Sequence, residues 1–103
     1  MVKVIDGKRY NCDTATEVAH YWNGLSSSDF NNLSETLYIT QKGNFFLYGS
    51  GGPMTKYAIH CGNNISGGSD IIPLTKEEAF KWCENRAMTE AIEKYFSDMI
   101  EDA

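Results

Sequence analysis

Leu37-Tyr38-Ile39-Thr40-Gln41-Lys42-Gly43-Asn44-Phe45-Phe46-Leu47-Tyr48-Gly49-Ser50-Gly51-Gly52-Pro53 contains two runs of β-branched and aromatic residues that meet at a Lys-Gly turn and then open into a glycine cluster. Leu37 to Thr40 and Asn44 to Tyr48 have the composition of pleated strands, and Gly43 suits the left-handed position of a three-residue hairpin turn with a bulge. Tyr38 and Thr40 alternate against Leu37 and Ile39, so one face of the hairpin is more apolar than the other. The stretch specifies a hairpin and a loop; it does not specify a reaction.

Working outward, Lys56 to Cys61 repeats the alternation and predicts a third strand, giving a small antiparallel meander. Gly62 to Ser69 is too rich in glycine and asparagine for a regular ladder. Ile71-Ile72-Pro73-Leu74 is apolar and extended, because a residue before proline avoids the α region, and proline places it at a sheet edge.

Upstream, Asp6-Gly7 separates Val2 to Ile5 from Lys8 to Asn11 and predicts a type I′ hairpin. Thr14 and Glu17 have capping-box spacing, and Ala15, Val18, Ala19 and Trp22 recur at helical intervals before Asn23-Gly24. This pattern predicts a short N-terminal helix. Leu25 to Ser34 reads as a polar loop pinned by Phe30. Downstream, Thr75-Lys76-Glu77-Glu78 is a second capping box, followed by the stripe Ala79, Phe80, Trp82, Cys83 and Ala87. At least two of Phe80, Trp82 and Cys83 are expected to be buried. Ile92, Tyr95, Phe96, Met99 and Ile100 continue the helical spacing, with Thr89 a potential cap between two helices. The expected fold is a single α+β domain over residues 1–103. It has a small antiparallel meander packed against an N-terminal short helix and a C-terminal helix or helix pair.

The chain's 103 residues are 42% apolar, enough for one core without metal or disulfide support. Cys12, Cys61 and Cys83 are odd in number and widely spaced, which points to reduced thiols and away from a zinc site. Asp6 and Gly7 interrupt the N-terminus too early for a signal peptide, and no window has the apolar length of a membrane span. A cytoplasmic protein is expected. Of the net charge of −5, residues 76–103 carry most, with eight acidic against four basic side chains. This balance disfavours direct contact with nucleic-acid phosphates and favours a basic protein surface.

Gly49, Ser50, Gly51 and Gly52 superficially suggest a phosphate cradle. A P-loop leads from a strand into a helix N-terminus, however, and here a strand-like run follows. What remains is a backbone anion nest, set against a wide structural turn. His20, His60 and Cys61 have no spacing that pairs a nucleophile with a base, so no catalytic residue, metal ligand or cofactor is assigned. Cys61 and Cys83 are expected in the core. Tyr38, Phe45, Phe46, Tyr48 and Tyr57 lack the basic groove of a base-stacking platform. Tyr38, Tyr48 and Tyr57 are instead interaction candidates on an uncovered sheet face, as are Glu90, Glu93 and Glu101 on the acidic helices.

Gly7-Lys8-Arg9-Tyr10, Leu37-Tyr38, Lys42 to Gly49, Gly51 to Ala58 and Ile71 to Ala79 together resemble a family of small proteins from phages and other mobile elements of Gram-positive and gut bacteria. The likeness covers most of the chain, and the family brings no established catalytic residues. Small acidic proteins of such elements often inhibit host defence, anti-CRISPR proteins among them. The resemblance therefore implies a non-enzymatic protein-binding inhibitor of a basic nucleic-acid-binding effector. The competing class is a small-ligand or phosphate-binding protein using the loop 49–52.

Overall fold

Asp6 and Gly7 have φ of 50° and 77°, the left-handed pair that a type I′ turn requires. They join β1 (Val2–Ile5) to β2 (Lys8–Asn11), in register from Val2 opposite Asn11 to Ile5 opposite Lys8. The structure, a computed structural model, describes residues 1–103. After this hairpin come β3 (Thr16–Trp22), β4 (Leu33–Ile39) and β5 (Phe45–Gly51), a small hairpin of β6 (Ile59–Cys61) and β7 (Asn64–Ser66), then β8 (Gly68–Leu74). Two helices, α1 (Lys76–Asn85) and α2 (Thr89–Tyr95), and a 3-10 turn at Ser97–Met99 complete the chain. The class is α+β.

The central sheet is antiparallel in the order β3-β4-β5-β8. Its middle is the hairpin expected from the sequence, with Leu37 opposite Leu47 and Ile39 opposite Phe45. Gly43 has φ of 87° at the turn, where Thr40 N–H donates to Asn44 O and Gly43 N–H donates to Thr40 O. Four expectations are corrected. The segment expected to form an N-terminal helix is strand β3, with a bulge between Glu17 and Ala19. That extra residue lets the neighbours Val18 and Ala19 both pack toward the main core, so a strand acquires apolar spacing that mimics a helix. The third strand of the sheet is β8 and not Lys56 to Cys61, of which only Ile59–Cys61 is strand, paired with β7. Residues 62–69 do hold ladders, in β7 and at the start of β8. The Phe30 side chain is exposed and does not pin the loop, which is tied through its main-chain oxygen instead.

The sheet is covered on both faces. Leu37, Phe45 and Leu47 point to the helices and pack with Ala79, Phe80, Trp82, Cys83, Ala91 and Phe96. Phe96 stacks on Phe45 with centroids 5.1 Å apart and lies 5.8 Å from Phe80. All three of Phe80, Trp82 and Cys83 are buried. On the opposite face Phe46 and Ile71 pack under Tyr10 of the N-terminal hairpin, with Tyr38 stacked on Phe46 at 5.2 Å.

Thr75 caps α1: its hydroxyl accepts from Glu78 N–H at 3.1 Å, and Glu78 Oε1 accepts from Thr75 N–H at 2.8 Å. The C-terminal region is two helices. Met88 N–H donates to Cys83 O and Ala87 N–H to Glu84 O, the paired bonds of a Schellman motif that terminates α1. Ala87 occupies the left-handed position at φ 54°. Thr89 is the first residue of α2, and no side chain caps that helix.

Candidate functional site

Glu35 is the one acid on the apolar strip of β4, between Leu33 and Leu37, and it is fully buried. Four donors from two distant segments meet its carboxylate. Tyr57 donates its hydroxyl to Oε2 at 2.5 Å, and Lys56 Nζ stands 2.6 Å from the same oxygen. Trp82 Nε1 donates to Oε1 at 3.0 Å and Arg86 Nη2 to it at 3.2 Å. The Arg86 guanidinium also lies 4.0 Å from the centroid of the Tyr21 ring on β3, and its buried Nε has no hydrogen-bond partner.

Burial alone would raise the Glu35 pKa. The hydrogen bonds from Lys56, Tyr57 and Trp82 and the Lys56 charge outweigh it and lower the pKa to about 2. Glu35 is therefore a permanent anion at neutral pH and has no proton to give. Tyr57 is pushed above the usual phenol range by burial, then by its hydrogen bond to Glu35 and that residue's charge. Every oxygen valence is committed inward, so the cluster fastens β4, the loop 52–58 and α1 together. No general acid or base is built here.

The expected interaction residues separate. Tyr57 is 5% exposed and held by Glu35, so it is no surface candidate. Tyr38 and Tyr48 are half-buried beside the N-terminal hairpin, which covers the face expected to be open. Glu90 and Glu93 on α2 and Glu101 beyond it are exposed. The anion nest does not form: Gly49, Ser50 and Gly51 lie in β5, and none of Gly49, Gly51 and Gly52 has the positive φ of a nest. These glycines serve close packing. A Cβ on Gly49 would stand 1.9 Å from the Tyr57 hydroxyl, and one on Gly52 would stand 2.6 Å from Phe30 O.

His20 lies on β3, its Nδ1 2.8 Å from the Thr36 hydroxyl across the strand pair, whereas His60 and Cys61 lie on the separate β6. Cys61 is exposed and Cys83 buried, so one of the two cysteines expected in the core is there. Burial pushes the Cys83 thiol up to about 11.

What the sequence reading passed over is the loop end of the sheet. Trp22, Phe30, Met54, Ile59 and Ile65 are each between 52% and 69% exposed. Their segments are tied to one another. Met54 N–H donates to Phe30 O at 2.9 Å, Gly52 N–H to Asn32 O at 3.0 Å, and Asn23 Nδ2 to Asn31 O at 2.7 Å. Ile59 touches the start of β8 at Gly68, which pairs with Gly51. The signal in the sequence was Phe30, Met54 and Ile65 as large apolar residues in polar or glycine-rich stretches, whereas Trp22 fell in the expected helix and Ile59 in the expected strand. No helix is long and apolar enough to cross a membrane. Comparison of the chain with protein-family models, with curated proteins and with solved structures finds no match.

Proposed function

We propose that this protein is a non-enzymatic protein-binding module that docks through the loop end of its sheet. The observation that carries this reading is the exposure of Trp22 at the end of β3, Phe30 and Met54 on loops, and Ile59 and Ile65 on the β6–β7 hairpin, segments joined at one end of the sheet. Large exposed apolar groups of this kind mark interaction surfaces, and tryptophan is enriched among residues that dominate binding energy. The Glu35 cluster supports it by fixing the loop that carries Met54, which lowers the ordering cost of association.

Charge complementarity narrows the partner to a basic protein, because the C-terminal helices present exposed Glu90 and Glu93 with Glu101 beyond them. The likeness to small proteins of mobile elements makes a host-defence nucleoprotein, an RNA-guided effector in particular, the first partner to test. A purified effector should bind the wild-type protein in interferometry. The triple change Trp22→Ser, Phe30→Ser and Met54→Ser should slow nothing but accelerate dissociation by about tenfold or more. Equal dissociation rates for the two proteins would remove the loop end from the interface.

A further inference from the structure

Six of the nine basic side chains are engaged within the molecule. Lys3 pairs with Asp70, Lys56 and Arg86 with Glu35, Lys76 with Asp98 and Lys81 with Glu84, while Lys94 lies 5.4 Å from the Tyr95 ring. The three that remain, Lys8, Arg9 and Lys42, all line one groove of about 480 Å³ between β2 and the β4–β5 turn. In a chain with 14 acids, no acid lines it, and neither Asp6 nor Asp13, the nearest in sequence, is among the wall residues. Three unpaired cations bordering one groove with no acid in its wall give it a positive potential that favours an anion.

The rest of the wall is polar. Gln41 and Asn44 supply amides, Asn11 adds its Nδ2 while its Oδ1 accepts from Asp13 N–H at 2.9 Å, and the single apolar wall residue, Tyr10, has its ring packed edge-on against Phe46 at 5.5 Å. A buried ring offers no face for a nucleobase to stack on, whereas amides suit ligand hydroxyls. Ile5 and Lys8 flank the two-residue turn and exchange the ladder bonds of β1 and β2, so the main-chain groups of Arg9 point to the free edge of β2, which borders the groove. The volume falls in the roughly 300 to 1,000 Å³ of small-molecule sites. We infer that this groove binds a small phosphorylated carbohydrate, with Lys8, Lys42 and the outward main-chain N–H of Arg9 on phosphate oxygens, the Arg9 charge beside them, and the amides on sugar hydroxyls.

The site lies at the opposite end of β4 from the exposed apolar loops, so it stands apart from the proposed protein-binding surface. The test is amide chemical-shift mapping on the labelled full chain at low salt, titrated with fructose bisphosphate, glycerol phosphate, free fructose, inorganic phosphate and a short single-stranded oligonucleotide. Saturable shifts confined to residues 7–11, 14 and 40–44, with the sugar phosphates tighter than inorganic phosphate and free fructose silent, are the expected result. Lys8→Gln, Arg9→Gln and Lys42→Gln together should weaken that binding by about tenfold or more while the exposed changes leave the melting temperature near wild type. The inference is overturned by no saturable shift with either sugar phosphate, by equal affinity of the triple variant, or by tighter binding of the oligonucleotide at this groove.

Discussion

Glu35 sets the acid limit of this protein. A carboxyl whose pKa falls from the ordinary 4.5 to about 2 on folding contributes about 3 kcal/mol. Because the folded value is depressed, that contribution is present above the unfolded pKa and is lost as pH falls from about 4.5 toward 2. Urea unfolding at pH 7 and near pH 2 should show this loss in the wild type, and Glu35→Gln should lack that portion of it. The variant should also lose about 3 to 5 kcal/mol at neutral pH, since Arg86 and Lys56 then face a neutral amide. Gly49→Ala is the complementary change. Its Cβ would meet Tyr57 Oη at 1.9 Å and the ring carbon Cζ at 2.0 Å, so it must displace the ring. The added Tyr57→Phe change should not rescue it, as thermal melts of the single and double variants would reveal. Neither residue's role was legible in the sequence. Glu35 fell between the polar loop read over Leu25 to Ser34 and the strand read from Leu37, and its donors lie 21 to 51 positions away; the available clue was one acid on an otherwise apolar alternation from Leu33 to Ile39.

Among the elements, the hairpin of β4 and β5 and the helix α1 were legible because their signals are local: alternation around a left-handed Gly43, and a reciprocal cap at Thr75. β3 was misread because its bulge breaks the period of two on which strand recognition depends. The β-branched Thr16 and Val18 and the aromatic Tyr21 and Trp22 were the contrary evidence. Phe80→Ala should cost about 3 to 5 kcal/mol and Thr75→Ala about 1 kcal/mol, both read from denaturant unfolding. Ala87→Gly should do the reverse. Ala87 holds φ 54° at the Schellman position that favours glycine, so the exchange should stabilise by about 1 kcal/mol. A destabilised glycine variant would mean that the Ala87 methyl packs more than its backbone strains.

On the scale of the whole molecule, exposed apolar groups gather at one end of β4, a basic groove lies at the other beside a hairpin that also exposes Val2 and Val4, and acids lie exposed on the helices. If the helices help to steer a basic partner, association should slow as ionic strength rises past the point where the Debye length is about 10 Å, near 0.1 M. Glu90→Gln, Glu93→Gln and Glu101→Gln together should lower the association rate and its salt dependence and leave the fold intact, since all three are exposed. A rate indifferent to salt and to this change would confine recognition to the apolar loops.

The Glu35 cluster also dictates an order of events during synthesis. Residue 35 leaves the ribosome well before Trp82 and Arg86, its partners 47 and 51 positions later. Until α1 emerges, Oε1 lacks both its donors, only Lys56 and Tyr57 hold the carboxylate, and the apolar face of Leu37, Phe45 and Leu47 has no cover. The nascent chain should therefore hold its sheet open until translation is nearly complete. A chain stopped at Leu74 should then exchange its β4 and β5 amides with solvent almost without protection, despite containing every strand.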